Sequence, residues 1–455
     1  MPIIRPAEAA VERLTTGTLA RLLPPATLDA ALAGDRRPRR CRKLPARFML
    51  LFCVLMGLYA DDALPHVFAR VVGWWAGATA EARGITAGAL CQARYRLGAR
   101  PVVALFRLVC RPLATAATPG AFLFGRRVLA LDSTKIDIPD TPANEAAFGR
   151  HRAWRGTSAW PQVRLVLLAE CGTHAVCDAG VWPCNVDEGR AGRRLLRGVG
   201  AEALVLWDRG FQSVAMMEAA TARGAAFLAR LPATVKPLPL EELPDGTTLV
   251  ALRPAGHRRR RRGEHVAARL IRYTLDDPPR PGHRVEHRLV TSLLDPATAP
   301  ARALIAAYHQ RWEIELIVDE LKTHQRPARP LRSRLPLGVV QEIYGLLIAH
   351  YLLRALAVEA AQRTAIVPTR IGFVATLRLV RAHLAAPLRQ RRQRTLSALR
   401  PLLRELGTLL LPPRRNRSNP RVVKRKMTNF RVKTAEHRRW PQPSKPFADA
   451  IVLLI

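Results

Sequence analysis

Acids are scarce in this chain. Its 455 residues carry 35 Asp and Glu against 73 Lys and Arg. Two of those acids stand where an acid is expensive. The apolar run Val128-Leu129-Ala130-Leu131 leads directly into Asp132, and Leu204-Val205-Leu206-Trp207 leads into Asp208. A carboxylate at the end of a buried strand is destabilising unless something compensates its charge. Hydrogen bonds would do so, with Asp132 in a turn with Ser133 and Thr134, and Asp208 paired with Arg209. A divalent cation would do so as well, and it needs two or three carboxylates converging on one point.

A further acid comes from 303–325, read as one long helix. Tyr308, Arg311, Glu315 and Lys322 have offsets of 0, 3, 7 and 14. On a regular helix they fall at roughly 0°, −60°, −20° and −40°, one narrow stripe. A phenol, a guanidinium, a carboxylate and an ammonium in one file suit binding of metal and phosphate. The simpler alternative is an ion pair between Arg311 and Glu315, four residues apart, plus chance. Glu313, Asp319 and Glu320 are competing acids, and Asp319 lies near the stripe at about +20°.

These residues need a scaffold. Residues 1 to about 118 read as helical, with apolar residues at helical spacing in Leu14-Leu19-Leu22-Leu23 and again through 48–73. Within them, 85–109 reads as two short helices joined near Gly98, with Arg94, Arg96 and Arg100 at the turn. This is either a helix-turn-helix or a helical hairpin with solvated arginines. From 119 to about 232, three strands (126–139, 163–171, 175–184) precede a helix, a strand ending in Asp208, a helix and a short strand. That is an α/β layer pattern. Residues 233 to about 298 read as a β insertion with basic turns, among them Arg258 to Arg262. After the long helix come helices at about 338–362 and 372–408. The tail from Pro412 to Pro446 has twelve basic residues and one Glu, and is expected to be extended when free.

The net charge of +38 excludes most metabolic enzymes, which have no use for such self-repulsion. It points to a polyanion, with nucleic acid ahead of a membrane surface. The longest apolar run, Phe48 to Ala60, is too short for a bilayer, which needs ~20 residues. No signal-peptide core precedes it, so a cytoplasmic, nucleoid-associated protein without membrane contact is expected. Seven scattered cysteines fit reduced thiols. Cys171, His174, Cys177 and Cys184 cluster loosely, but their spacing fits no common zinc module, and small buried strand residues are the expected reading.

At this point a resemblance becomes specific. The stripe, Tyr-x-x-Arg-x-x-x-Glu-x6-Lys, resembles the signature helix of bacterial DDE transposases of the insertion-sequence-four group. LALDSTKIDIPDTPANEAAFG resembles the segment holding their first catalytic aspartate, and LVLWDRGFQS the segment holding the second. A β insertion between the second aspartate and the glutamate is similar too. LRSRLPLGVVQEIYGLLIAHYLLR (331–354) resembles the block after the signature helix, and GALCQARYRLGARPVVALF the N-terminal domain. The likeness covers nearly the whole chain. It departs at Ser133, where relatives frequently carry Gly.

The resemblance implies a ribonuclease H-like α/β catalytic core with an all-β insertion, flanked by helical N- and C-terminal domains. Residues 1–118 would be the DNA-binding domain, 119–355 the catalytic domain and 356–455 a helical, basic C-terminal region. It implies a metal-binding catalytic triad of Asp132, Asp208 and Glu315, with Tyr308, Arg311 and Lys322 on the phosphates of the transposon end. Two Mg²⁺ ions, replaceable by Mn²⁺, would serve the attacking and leaving oxygens of an in-line displacement. Water would first free a 3′-hydroxyl, which would then attack target DNA. The partners implied are double-stranded DNA, both transposon ends and target, and a second copy of the chain in a synaptic homodimer. The alternatives are a catalytically inactive, transposase-derived DNA-binding protein and a ribonuclease H-type nuclease on RNA–DNA hybrids. No triad acid is missing, which disfavours the first. The β insertion and basic flanks disfavour the second.

Overall fold

The computed structural model describes residues 23–34, 44–73, 85–153, 156–254, 264–327, 329–385, 399–412, 422–423 and 431–454. Most of the 34–47 basic loop, the Arg258–Arg262 run and much of the basic tail lie outside them.

The N-terminal part is helical, as its periodicity predicts. Helices α1 (Pro25–Ala33), α2 (Ala46–Leu58), α3 (Leu64–Gly73), α4 (Ala87–Leu97) and α5 (Arg100–Val109) follow in order. Every residue of α2 from Phe48 to Leu58 is buried. The partner of α2 is α11 (Pro336–Thr364), and the two backbones touch through glycine. A Cβ on Gly57 would lie 2.4 Å from the Gly345 carbonyl oxygen, and one on Gly345 would lie 2.1 Å from that of Cys53. Only hydrogen fits at either position. Helix α11 is long and apolar enough to cross a membrane, yet 94% of its most apolar window is buried inside the protein. It is a core helix that ties the N-terminal helices to the rest of the chain.

The middle of the chain forms one eleven-stranded sheet. Its strands are β1 (Arg126–Asp137), β2 (Gln162–Glu170), β3 (Val176–Pro183), β4 (Ala203–Trp207), β5 (Ala226–Arg230), β6 (Leu238–Glu242), β7 (Thr248–Leu252), β8 (Val266–Leu275), β9 (His287–Thr291) and β10 (Ile451–Leu453), plus the short Phe122–Leu123. The spatial order is β3-β2-β1-β4-β5-β9-β8-β7-β6. β1, β2 and β3 form an antiparallel meander, whereas β4 pairs parallel to β1 and β5 parallel to β4. Parallel neighbours need crossovers, and α7 (Glu188–Leu195) and α8 (Val214–Thr221) provide them. Both start on a side-chain cap, Asp187 and Ser213, as a βαβ unit requires.

The β segment of 233–298 continues the main sheet, because β9 pairs antiparallel with β5. A strand whose edge is unpaired accepts another, and periodicity does not tell a continued sheet from a new one. Much of the basic tail lies outside the described residues, but its described end packs on the sheet. Asp277, fully buried, accepts hydrogen bonds from Ser444 N and Oγ and from Lys445 N, and β10 then pairs with β8. Phe447 stacks on His309 with ring centroids 4.1 Å apart.

The C-terminal helices are α12 (Phe373–Ala385) and α13 (Leu399–Leu406), with 386–398 between them outside the described residues.

Candidate active site

Strand register sets the first two acids side by side. Leu131 of β1 is paired with Trp207 of β4, both fully buried. Asp132 and Asp208 are the next residues on these two parallel neighbours. The Asp132 carboxylate accepts from Ser133 N at 2.7 Å, and the Asp208 carboxylate from Gly210 N at 2.8 Å. The hydrogen bond to Ser133 is therefore present, but not the expected turn, because β1 continues through Ser133 and Thr134. Among the described residues Asp208 makes no ion pair with Arg209.

The segment carrying Glu315 is not one helix. It is α9 (Ala301–His309), a tight link at Gln310 and Arg311, α10 (Trp312–Asp319) and a π-helical turn over Glu320–His324. Around the link the bonds run three residues apart: Arg311 N to Tyr308 O at 3.1 Å and Ile314 N to Arg311 O at 3.2 Å. At the far end Gln325 N reaches Glu320 O at 2.7 Å, five residues back. A regular wheel thus fails across Tyr308–Lys322, because overwinding at one end and underwinding at the other both shift the angles. Local stereochemistry, not a uniform stripe, brings the four residues to the acids.

Arg311 donates to Glu315 Oε1 at 2.9 Å. Asp132 is held up to about 7, foremost by burial and further by the negative charges of Asp208 and Glu315; Ser133 N–H and the Arg311 guanidinium oppose the rise. All three acids and the guanidinium are therefore within electrostatic reach of one another. The Tyr308 hydroxyl donates to Trp207 O at 3.3 Å, on the residue before Asp208. Burial pushes that phenol up to about 12. Lys322 donates to Thr134 Oγ1 at 3.0 Å and Lys135 O at 2.9 Å, so it grips β1 just past Asp132. Burial lowers its pKa, with Arg326 adding to the effect.

The competing acids are accounted for. Glu313 accepts from or shares a proton with His174 Nε2 at 2.8 Å. Glu320 is buried among His174 Nδ1 at 2.9 Å, His350 Nε2 at 2.8 Å and Arg354 Nε at 3.0 Å. Asp319 faces solvent and pairs with His324 at 3.1 Å. The His174 expected as a bystander in a cysteine-rich stretch is thus the centre of a buried ion cluster beneath α10. It sits at φ 61°, a left-handed position unusual for a side chain of its size. Sequence reasoning missed this cluster because its members lie on three distant segments. The six described cysteines carry free thiols, and Cys171 and Cys184 are buried.

Arg94 also differs from expectation. It is 1% exposed and donates to Ser333 Oγ and Gly338 O, both at 3.0 Å, docking α4 on α11. Arg96 and Arg100 remain exposed. A buried, doubly bonded guanidinium does not serve as a surface contact for phosphate.

Oxygen donors on three segments suit a hard divalent cation. Among the described residues no three such side chains stand close enough, as placed, to enclose an ion. Burial foremost, with the charges of Asp208 and Glu315 added, raises Asp132, and a bound cation would oppose that rise. The donor chemistry of Asp132, Asp208 and Glu315 is the kind such a cation takes.

Comparison with known proteins agrees. Residues 123–352 match the family "Transposase DDE domain", and residues 13–107 match "Insertion element 4 transposase N-terminal". The chain is 30% identical over 423 residues to the transposase InsG for insertion sequence element IS4 of Escherichia coli (strain K12), covering 90% of this chain and 88% of that protein. It is 28% identical over 126 residues to the putative transposase InsZ of the same organism, covering 28% of this chain and 42% of that one. A piggyBac transposase synaptic complex with hairpin DNA aligns over 90% of this chain and 87% of that chain, at 11% identity and a TM-score of 0.43. With both family matches and a relative aligned over nearly its full length, the chain belongs to the IS4 group of DDE transposases, which transpose insertion sequences.

Proposed function

We propose that this chain cuts DNA at the ends of an insertion sequence by metal-dependent phosphodiester hydrolysis. The freed 3′-hydroxyl is then joined to target DNA by transesterification in the same site. What supports this is the register that sets Asp132 beside Asp208 on β1 and β4, with the Arg311–Glu315 pair near enough to act on Asp132's charge. The spatial order of β3-β2-β1-β4-β5 supports reading the core as ribonuclease H-like, with the first and fourth strands adjacent.

In this proposal Asp132, Asp208 and Glu315 hold two Mg²⁺ ions, with Mn²⁺ able to substitute. Bound ions would supply Lewis-acid stabilisation of the attacking and leaving oxygens. The protein groups do the rest. Arg311 orients Glu315 and presents a planar guanidinium to a phosphate of the transposon end. Tyr308 offers its hydroxyl from beside Asp208. Lys322 uses two of its three donors on β1, fixing the strand that bears Asp132, and has one left for a phosphate.

The excess of basic residues supports DNA as the partner, both the element's ends and the target. We assign the helical 1–118 region to end recognition, 119–355 to catalysis and 356–455 to a basic C-terminal region. The working form proposed is a homodimer that brings two ends together, in the cytoplasm at the nucleoid.

A nicking and strand-transfer assay tests this. Purified chain, Mg²⁺ and duplexes carrying the inverted repeats that bracket the coding region should give a 3′-hydroxyl at the element end, then joined product. If the protein binds those ends but neither nicks nor joins them, the inactive, DNA-binding alternative replaces the proposal.

A further inference from the structure

A fourth carboxylate, Glu188, lies beside the residues that hold both aspartates, and the mechanism above does not use it. Glu188 is the first residue of α7, just after the Asp187 cap. Its Oε1 accepts from Ser133 Oγ at 2.7 Å and pairs with the Arg164 guanidinium, which itself donates to Ser133 Oγ at 3.1 Å. Arg164 is 8% exposed and also donates to Cys184 O at 3.1 Å, so this corner is fixed. Ser133 is the residue whose backbone N–H bonds the Asp132 carboxylate. One carboxylate oxygen of Glu188 is therefore one residue removed from the first acid.

The other oxygen faces the turn that holds the second acid. A Cβ placed on Gly210 would lie 2.7 Å from Glu188 Oε2 and 3.1 Å from Asp208 Oδ1. Gly210 is the residue whose N–H bonds that Asp208 oxygen. The absence of a side chain at 210 lets Glu188 close against the turn that holds Asp208. An acid in the first turn of α7 also suits the helix N-terminus.

From this juxtaposition we propose that Glu188 is a positioning residue. Through Ser133 on one side and the Gly210 turn on the other, it braces β1 and the end of β4 so that Asp132 and Asp208 face a common ion. Ser133, where relatives frequently have Gly, is then the hydroxyl through which the brace reaches β1. The inference rests on the metal-site reading given under the proposed function.

The test follows Mn²⁺ binding to the full-length chain by the rise in unfolding temperature, alongside Mn²⁺-dependent nicking. Asp132→Asn is the control for the metal-site reading itself and should abolish the Mn²⁺-induced rise. Glu188→Ala and Ser133→Gly should each raise the Mn²⁺ concentration at half-effect about tenfold, in keeping with losses seen when outer supports of a metal site are removed. At saturating Mn²⁺ nicking should return close to the wild-type rate. The double variant should be no worse than Glu188→Ala, because the two residues act as one unit. Glu188→Gln, which still accepts from Ser133, should stay within about threefold of wild type by the same reasoning. A wild-type Mn²⁺ midpoint in Ser133→Gly and Glu188→Gln together with Glu188→Ala, or effects that simply add in the double variant, overturns the brace. If Asp132→Asn keeps the Mn²⁺ response, the metal-site reading has failed instead.

Discussion

Arg311 and Glu315 form an ion pair at 2.9 Å, one turn apart, on the segment that approaches Asp132 and Asp208. The guanidinium also pulls against the rise in Asp132's pKa. Without metal, this one cation tempers the repulsion among three acids.

A metal ion at the acids would have to share space with that guanidinium. Removing it leaves the carboxylates a more negative field. Arg311→Ala is expected to bind Mn²⁺ more tightly, by roughly threefold to tenfold for one partly buried charge. It should nonetheless nick DNA ends poorly, because the proposed phosphate contact is lost. Titration of the Mn²⁺-induced rise in unfolding temperature beside a nicking assay separates the two effects. Weaker Mn²⁺ binding would show that Arg311 mainly holds Glu315 in place.

The raised pKa of Asp132 makes a pH statement about the metal-free protein. Folding favours the protonated carboxyl, so stability is greatest below the ordinary carboxylate value of 3.8 and is lost as pH rises through about 7. Asp132→Asn removes that loss. It should be more stable than wild type at pH 8 by roughly 1–2 kcal/mol after allowing for partial solvent screening, and the gap should narrow toward pH 4. Urea unfolding at the two pH values measures it.

The buried cluster under α10 predicts a sharp contrast between neighbouring acids. Glu320→Gln removes the carboxylate that Arg354, itself 2% exposed, is paired with. That should cost about 3–5 kcal/mol of stability. Asp319→Asn, on an exposed pair with His324, should cost less than about 0.5 kcal/mol and leave nicking intact. Denaturant midpoints for the two variants decide the matter. Near-equal stabilities would mean that the cluster does not anchor the segment bearing Glu315.

The contact of α2 with α11 predicts that the N-terminal helices and the catalytic sheet do not unfold separately. Gly345→Ala forces a methyl group onto the Cys53 carbonyl. The expected loss is about 1–3 kcal/mol, as for other overpacked interiors. A single calorimetric transition, shifted downward, is the predicted result.

Much of this was legible in the sequence because it depends on local pattern. The apolar run that stops at Asp208 marks the end of β4, the one that stops at Asp132 lies within β1, and the strand–helix alternation between them gives the parallel pairing of β1 with β4. What escaped was long-range. Arg94 reads as a surface charge until Ser333, just before α11, and Gly338 in its first turn are seen as partners. The long helix breaks at Gln310 and underwinds at Glu320, where buried histidines and Arg354 from other segments hold the side chain. Glu188, in an unremarkable Asp-Glu-Gly turn, gave no signal at all; only the three-dimensional approach to Ser133 and Gly210 reveals it.

The most direct test of the shared metal site is anomalous diffraction from crystals of the full chain bound to element-end DNA and soaked in Mn²⁺. The account predicts Mn²⁺ peaks bounded by the carboxylates of Asp132, Asp208 and Glu315, with the Arg311–Glu315 pair loosened. Peaks ligated without Glu315, or seated on Asp319 or Glu320, would contradict it.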